Sequence, residues 1–235
     1  MTTVVAPAEP KAHSLTAPPA AGALEGEFFT VASASRAYER TKRALDVLVS
    51  AALLVALSPV MLLIAAVVKL TSRGPALFRQ PRAGLGGRPF TMYKFRSMRD
   101  GAEDDRELLE HLNHQDGPVF KIPEDPRLTR FGRFLRRSSL DELPQLFNVL
   151  RGEMTLVGPR PLWLPEARKA TGPARLRTTV KPGLTCLWQI SGRSELPYDQ
   201  WVLLDLYYIR HRGTLLDLMI LFQTIPAVLT GRGAY

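Results

Sequence analysis

Two adjacent carboxylates, Asp141 and Glu142, stand in the segment SSLDELPQLFNVL, residues 138–150. A carboxylate can act as a nucleophile toward phosphorus and carry a phosphoryl group covalently. It needs cations beside it to approach an anionic phosphate. Magnesium shared between a carboxylate and substrate oxygens is the usual device, which makes Asp141 the candidate ligand. A structural reading competes. Ser139 and Glu142 have the S-x-x-E spacing of a capping box, acidic residues favour a helix N-terminus, and Pro144 suits a first turn.

Cations surround the pair in sequence. Arg130, Arg133, Arg136 and Arg137 precede it, and Lys94, Arg96, Arg160 and Arg193 fall in loops or at element ends. Arginine binds phosphate bidentately. The run 130–137 reads chiefly as a face for anionic lipid headgroups or phosphate, with Arg136 and Arg137 nearest the carboxylates. Arg160 differs, because Pro159 and Pro161 fix the direction of its guanidinium. Arg193 ends an SGR turn. Asp205 and Asp217 are candidates for a metal or for pairs with Arg210 and Arg212. Trp188, Trp201, Tyr207 and Tyr208 suit an interfacial belt or a core. The four histidines lack metal-ligand spacing, and neither G-x-G-x-x-G nor a Walker motif is present.

The elements that must position these groups follow from patterning. Residues 1–35, rich in Ala, Pro, Thr and Ser, read as a disordered tail. Residues 36–73 form a membrane element. Its run from Val47 to Val68 has no charge and, as one helix, would measure roughly 33 Å, about a hydrocarbon core. Ser58-Pro59 interrupts the middle. Basic residues flank both ends, and the positive-inside rule places both on one side only if the chain enters, bends and returns. The pair therefore predicts a re-entrant helical hairpin, with the Ser58 hydroxyl satisfying a carbonyl freed by the proline. A kinked spanning helix is the competing reading.

Residues 74–235 form one domain, and the whole reads as α+β and mostly helical. Residues 74–100 predict two short strands about a turn at Gly84, Gly86 and Gly87. Helices are predicted over 102–115, the basic segment before Ser138, 140–151, 162–177, 198–211 and 215–229. VGPRPLW reads as a loop, and KPGLTCLWQISGR as a loop or short strand. The net charge of +9 suits an anionic partner. Nucleic acid is disfavoured by the apolar run and the lack of a nucleic-acid motif. The single cysteine, Cys186, excludes an intramolecular disulfide.

The ordered segments KRALD, the Ser58-Pro59 break, GPALFRQPRAG, YKFRSM, DPRLTRFGRFLRRSSLDELPQLFNVLRGEMTLVGPRP, KPGLTCLWQISGR and DLYYIRH resemble the bacterial sugar transferases, the monotopic polyprenyl-phosphate phosphoglycosyl transferases. The resemblance covers Lys42 to Thr224. It implies transfer of a sugar-1-phosphate from a UDP-sugar to undecaprenyl phosphate with release of UMP, on the cytoplasmic face of a bacterial inner membrane. It implies Asp141 as nucleophile, Glu142 as its dyad partner, and assistance by magnesium. It also favours the re-entrant hairpin and the family's minimal catalytic form. Cys186 stands where the family usually has glycine, which predicts strain if that backbone needs a positive φ. A non-enzymatic membrane adaptor is the alternative function. The C-terminal helix suits the membrane surface or a homodimer contact.

Overall fold

The computed structural model describes residues 34–231, 233 and 234, so most of the tail expected over 1–35 lies outside the described residues. Helix α1 runs Arg36–Thr71, started by Ser35, whose Oγ accepts from Tyr38 N at 3.2 Å. Pro59 lies inside it without ending it. A proline removes the N–H that would reach the carbonyl four residues back. Here that carbonyl belongs to Val55, and Ser58 Oγ donates to it at 2.8 Å. The freed acceptor is satisfied within the helix, as the Ser-Pro pair predicts.

Both arms of α1 are fastened to the rest of the chain. In the first arm, Asp46 accepts from Thr155 Oγ1 at 2.7 Å and Leu156 N at 2.9 Å. Arg43 donates to the carbonyls of Val149 and Leu150, each at 2.7 Å. In the second arm, Ile64 and Val68 are buried with Phe95 and Leu135. Between them, residues 51–63 contain no buried side chain, and Val55, Leu62 and Leu63 are well exposed.

Strands β1 (Leu77–Ala83) and β2 (Pro89–Phe95) form an antiparallel hairpin around the predicted glycine turn, in which Gly86 and Gly87 take positive φ. Helix α2 (Arg130–Arg137) leads to a 3-10 turn over Leu140–Glu142, followed by α3 (Gln145–Arg151). The continuous helix predicted over 140–151 is thus broken, because Pro144 cannot donate to the turn before it. The helix expected over 102–115 is replaced by turns and one 3-10 turn, Glu110–Leu112. That segment has no continuous apolar face to bury, and most helical stability comes from such a face. Its polar groups bond elsewhere instead: Arg106 pairs with Glu166, and Asn113 bonds three loop backbones.

The predicted VGPRPLW loop holds except at its first residue, Val157, which ends a short strand. Strand β3 (Thr155–Val157) pairs in parallel with β4 (Gly183–Thr185). The predicted helix 162–177 divides into α4 (Leu164–Lys169) and a 3-10 helix over Gly172–Thr179, separated where Gly172 takes φ +53° before Pro173. Helices α5 (Leu187–Ile190), α6 (Tyr198–His211) and α7 (Thr214–Thr230) complete the order. The architecture is α+β, mostly helical, with one helix among the described residues long and apolar enough to cross a membrane.

The main core joins α3, β3, α5 and α6 through Leu146, Leu156, Trp188, Trp201 and Ile209. Trp188 and Trp201 stack with ring centroids 4.8 Å apart, so both belong to the core and not to an interfacial belt. Asp205 is 1% exposed and pairs with Arg177 at 2.6 Å, and Asp217 accepts from Lys42, Tyr38 and Tyr208. These partners differ from the Arg210 and Arg212 expected from sequence, because the fold brings in groups far along the chain. Burial pushes the Asp205 carboxyl up to about 6 against the pull of Arg177. Asp205→Ala would leave a guanidinium unpaired in the core. The expected loss is about 3–5 kcal/mol, read as a lower denaturant midpoint, and an unchanged midpoint would remove this pair from the account of stability.

Candidate active site

The residues that gather around Asp141 come from five separate segments. Strand β2 contributes Lys94, the end of α2 contributes Arg136, and the loop after β3 contributes Arg160. Helix α5 contributes Trp188 and Gln189, and the turn after it contributes Arg193. Together they line a cavity of about 210 Å³. Two non-glycine residues among those described take positive φ, Ser139 (+56°) and Arg193 (+55°). Both are in this lining. Such strain persists only where surrounding structure enforces it, and it clusters at functional sites.

The geometry overturns the capping box. Ser139 makes no side-chain cap bond, and its left-handed backbone turns the chain between α2 and the 3-10 turn. Glu142 reaches away from that turn and accepts from Lys94 Nζ at 2.7 Å and from Arg160 at 2.7 and 3.4 Å. Asp141 is 5% exposed, and its ion-pair partner, Lys94 Nζ, stands 3.8 Å away, beyond hydrogen-bond reach. The two carboxylates are therefore differentiated. Burial opposes ionisation of Glu142, but the charges and hydrogen bonds of Arg160 and Lys94 outweigh it and hold its carboxyl well below the usual range. For Asp141 burial prevails: together with the negative charge of Glu142 it outweighs Lys94 and raises the carboxyl. One carboxylate is a fixed anchor, and the other is a poorly solvated anion facing the cavity. Desolvation and loose pairing are what keep a nucleophile reactive.

Of the other candidates from sequence, Arg136 turns inward. Its Nε donates to Ser97 Oγ at 3.1 Å, and it lines the cavity. Arg130, Arg133 and Arg137 stay exposed beside the exposed ring of Phe134. Arg96 is not in the cavity lining. It is buried, and donates to the carbonyl and hydroxyl of Ser72 at the end of α1. Asp205 and Asp217 are likewise absent from the lining. Cys186 carries no strain, since its backbone is extended (φ −160°), and burial raises its thiol to about 12.

Several lining residues had no sequence signal strong enough to single them out. These are Arg82, Arg106, Lys121, Trp163 and Glu166. Arg106 stacks on Trp163 and Phe120 while pairing with Glu166 at 3.0 Å. The two ends of that contact are 60 residues apart, and no local period predicts it.

Among the described residues no group of three or more His, Cys, Asp or Glu is placed to hold a metal ion. A magnesium site of protein ligands alone is therefore not built here. One buried, loosely paired carboxylate does fit the other way this ion binds, through one or two carboxylates with substrate phosphate and water supplying the rest.

Residues 37–231 match the family model described as Bacterial sugar transferase. The chain is 41% identical over 201 residues to the exopolysaccharide production protein ExoY of Sinorhizobium fredii, covering 83% of this chain and 88% of that protein. It is 41% identical over 211 residues to the undecaprenyl-phosphate galactose phosphotransferase of Salmonella typhimurium, covering 86% of this chain and 43% of that protein. It is 45% identical over 206 residues to the undecaprenyl-phosphate glucose phosphotransferase of Komagataeibacter xylinus, covering 83% of this chain and 37% of that protein. The chain thus spans under half the length of the last two relatives and nearly all of the first. A match over this much of the chain, from Lys94 through Arg193 of the cavity lining, makes it a member of the bacterial sugar transferase family.

Proposed function

We propose that this chain transfers a sugar-1-phosphate from a UDP-sugar to undecaprenyl phosphate, as the first membrane step of exopolysaccharide or related glycoconjugate assembly. The observation that carries the reading is the differentiated carboxylate pair: Asp141 buried and loosely paired beside a Glu142 clamped by two cations. The printed names of the Salmonella and Komagataeibacter relatives support the substrate classes.

In the first step an Asp141 carboxylate oxygen bonds to the sugar-bearing phosphorus. The bond from that phosphorus to the bridging oxygen breaks, and UMP leaves with the electron pair. In the second step an oxygen of undecaprenyl phosphate attacks the same phosphorus. The aspartyl bond breaks, giving the lipid diphosphate sugar and free Asp141. Lys94 and Arg160, held by Glu142, offset the charge that gathers on the transferring group. Arg136 and Arg193 add donors from two other sides. Asp141 would hold a magnesium ion, which would supply further charge neutralisation.

Two features support a membrane element that enters and leaves on one face, the cytoplasmic face of the inner membrane. Both arms of α1 pack on one body, while residues 51–63 contain no fully buried side chain and only Leu54 and Met61 of their large apolar groups lean on the cores. Helices α2, α3 and α7 pack beside α1 and expose Phe134, Phe147, Leu215 and Phe222. Apolar side chains around a basic rim suit an enzyme seated in one leaflet, where a soluble donor meets a lipid acceptor.

The test is release of UMP by the purified full chain in lipid particles, with magnesium, undecaprenyl phosphate and a panel of UDP-sugars. Lipid-dependent release with one donor establishes the reaction and identifies the sugar. If every donor is inert and the intact protein never gains the mass of a phosphosugar, the reading fails and the membrane adaptor takes its place.

The clamp on Glu142 predicts a pH effect. Asp141 must be ionised to attack, so the rate falls as pH drops through its raised pKa. In Glu142→Gln a raising charge is gone, and Lys94 and Arg160 turn to Asp141. The acid limb of the pH–rate profile should move to lower pH, while turnover on its plateau drops by about 10- to 100-fold as the two cations lose their anchor. An acid limb that stays in place or rises would show that Glu142 does not set the ionisation of Asp141.

A further inference from the structure

The cations of the cavity divide into two groups. Lys94, Arg160 and Arg106 are paired with carboxylates. Arg82, Arg136, Lys121 and Arg193 are not, among the described residues; Arg82 donates to the Pro161 carbonyl and Arg136 to Ser97 Oγ, while Lys121 and Arg193 share one wall. Lys121 Nζ donates to Ser194 Oγ at 2.9 Å, next to Arg193 in sequence, and Arg193 keeps a buried Nη2 with no hydrogen-bond partner. This position is built. The Lys121 backbone N donates to Asn113 Oδ1 at 2.8 Å, while Gln115 Nε2 donates to the Leu196 carbonyl at 3.0 Å and ties the two loops together. The Lys121 ammonium lies 4.0 Å from the Trp188 ring centroid and 5.4 Å from that of Trp201. A lysine held this firmly over an aromatic floor, without a carboxylate, lacks the anion that would complete it.

We propose that Lys121, with Arg193 beside it, binds the diphosphate of the nucleotide-sugar donor, forming a second cationic wall of the cavity that holds the nucleotide while Asp141 takes the sugar phosphate. The inference rests on the donor class proposed above. It adds a coupling that the dyad alone does not contain. Burial, reinforced by the positive charges of Arg160 and Lys94, lowers Lys121 to about 6, and the negative charge of Glu142 offsets this only in part. The lysine is thus mostly neutral in the empty cavity at neutral pH. An arriving diphosphate brings negative charge to it and restores the ammonium, so donor binding takes up a proton.

The experiment is calorimetric titration of UDP into the full chain in lipid particles at about pH 8, where the nucleotide's own phosphates are ionised. Two buffers of different ionisation enthalpy reveal proton uptake. The wild type should bind UDP and take up close to one proton, roughly. Lys121→Arg, permanently charged, should bind within a few-fold of wild type with no uptake. Lys121→Met should bind about 10-fold more weakly, the loss of a charge-assisted hydrogen bond, also with no uptake. Wild-type affinity in Lys121→Met, or undiminished uptake in a folded Lys121→Arg, overturns the assignment. Wild type that binds UDP with these properties but releases UMP from no donor would sink the proposed reaction and leave this binding role standing. Failure of the wild type to bind UDP would overturn this binding role, while UMP release would still decide the reaction.

Discussion

Asp141→Asn is expected to lower UMP release by at least about a thousandfold while the protein stays folded and membrane-bound. The amide is nearly isosteric but cannot form the phosphoryl ester. The stability side of this prediction has an unusual sign. The carboxyl of Asp141 is raised in the folded chain, so its ionised form is disfavoured by folding at any pH above its ordinary value. That penalty disappears at low pH, where the group is protonated in both states. Asp141→Asn removes it at neutral pH too. The variant should unfold at the same denaturant concentration as wild type or a higher one. Loss of activity accompanied by a large drop in stability would instead mark Asp141 as a structural residue of its turn.

Gly132→Val should have the second large effect, through position and not chemistry. Gly132 lies in α2 where that helix crosses the end of β2 at backbone distance. A Cβ there would stand 1.8 Å from the Ser97 carbonyl oxygen. That oxygen is already bonded by Thr129 N at 3.1 Å, so it has no room to yield. Helix α2 must move outward, carrying with it Arg136, which donates to Ser97 Oγ, and the turn that bears Asp141. A displacement of about 1 Å can cost about 100-fold in a positioned reaction. We expect at least that loss in Gly132→Val, with a lowered melting temperature. Near-normal turnover from this variant would show that the carboxylate pair does not depend on where α2 sits.

The candidate carboxylate pair was legible in the sequence because two carboxylates, a proline and a run of arginines are local facts. Their division of labour was not. The same S-x-x-E spacing fits a capping box, and only the approach of Lys94 and Arg160, 48 and 18 residues away, shows that Glu142 is engaged elsewhere. The glycine hairpin and α6 followed from turn chemistry and apolar periodicity. Strand β3 did not, because its three residues are too few to show a period and its partner lies beyond an intervening helix pair. The polar segment 102–115 misled for a related reason. Helix-forming residues without a face to bury settle into turns once their side chains find distant partners. Arg96 looked like Lys94, two residues before it, but it stands just past the end of β2, where strand alternation no longer sets its direction, and it serves the end of α1 instead.

Helix α1 supplies more than attachment. Asp46 completes two donors of β3, and Arg43 covers the last carbonyls of α3, the helix that follows the Asp141 turn. A chain shortened to begin after Thr71 would leave those groups bare, so a freely soluble version of this enzyme is not a matter of trimming. With residues 51–63 seated in lipid as proposed, folding and insertion form a single equilibrium, and the solvent around that segment becomes a variable of the proposed turnover. A detergent that fits this segment badly would be felt at Asp141 through α3 and β3, as a change in turnover with no change in sequence.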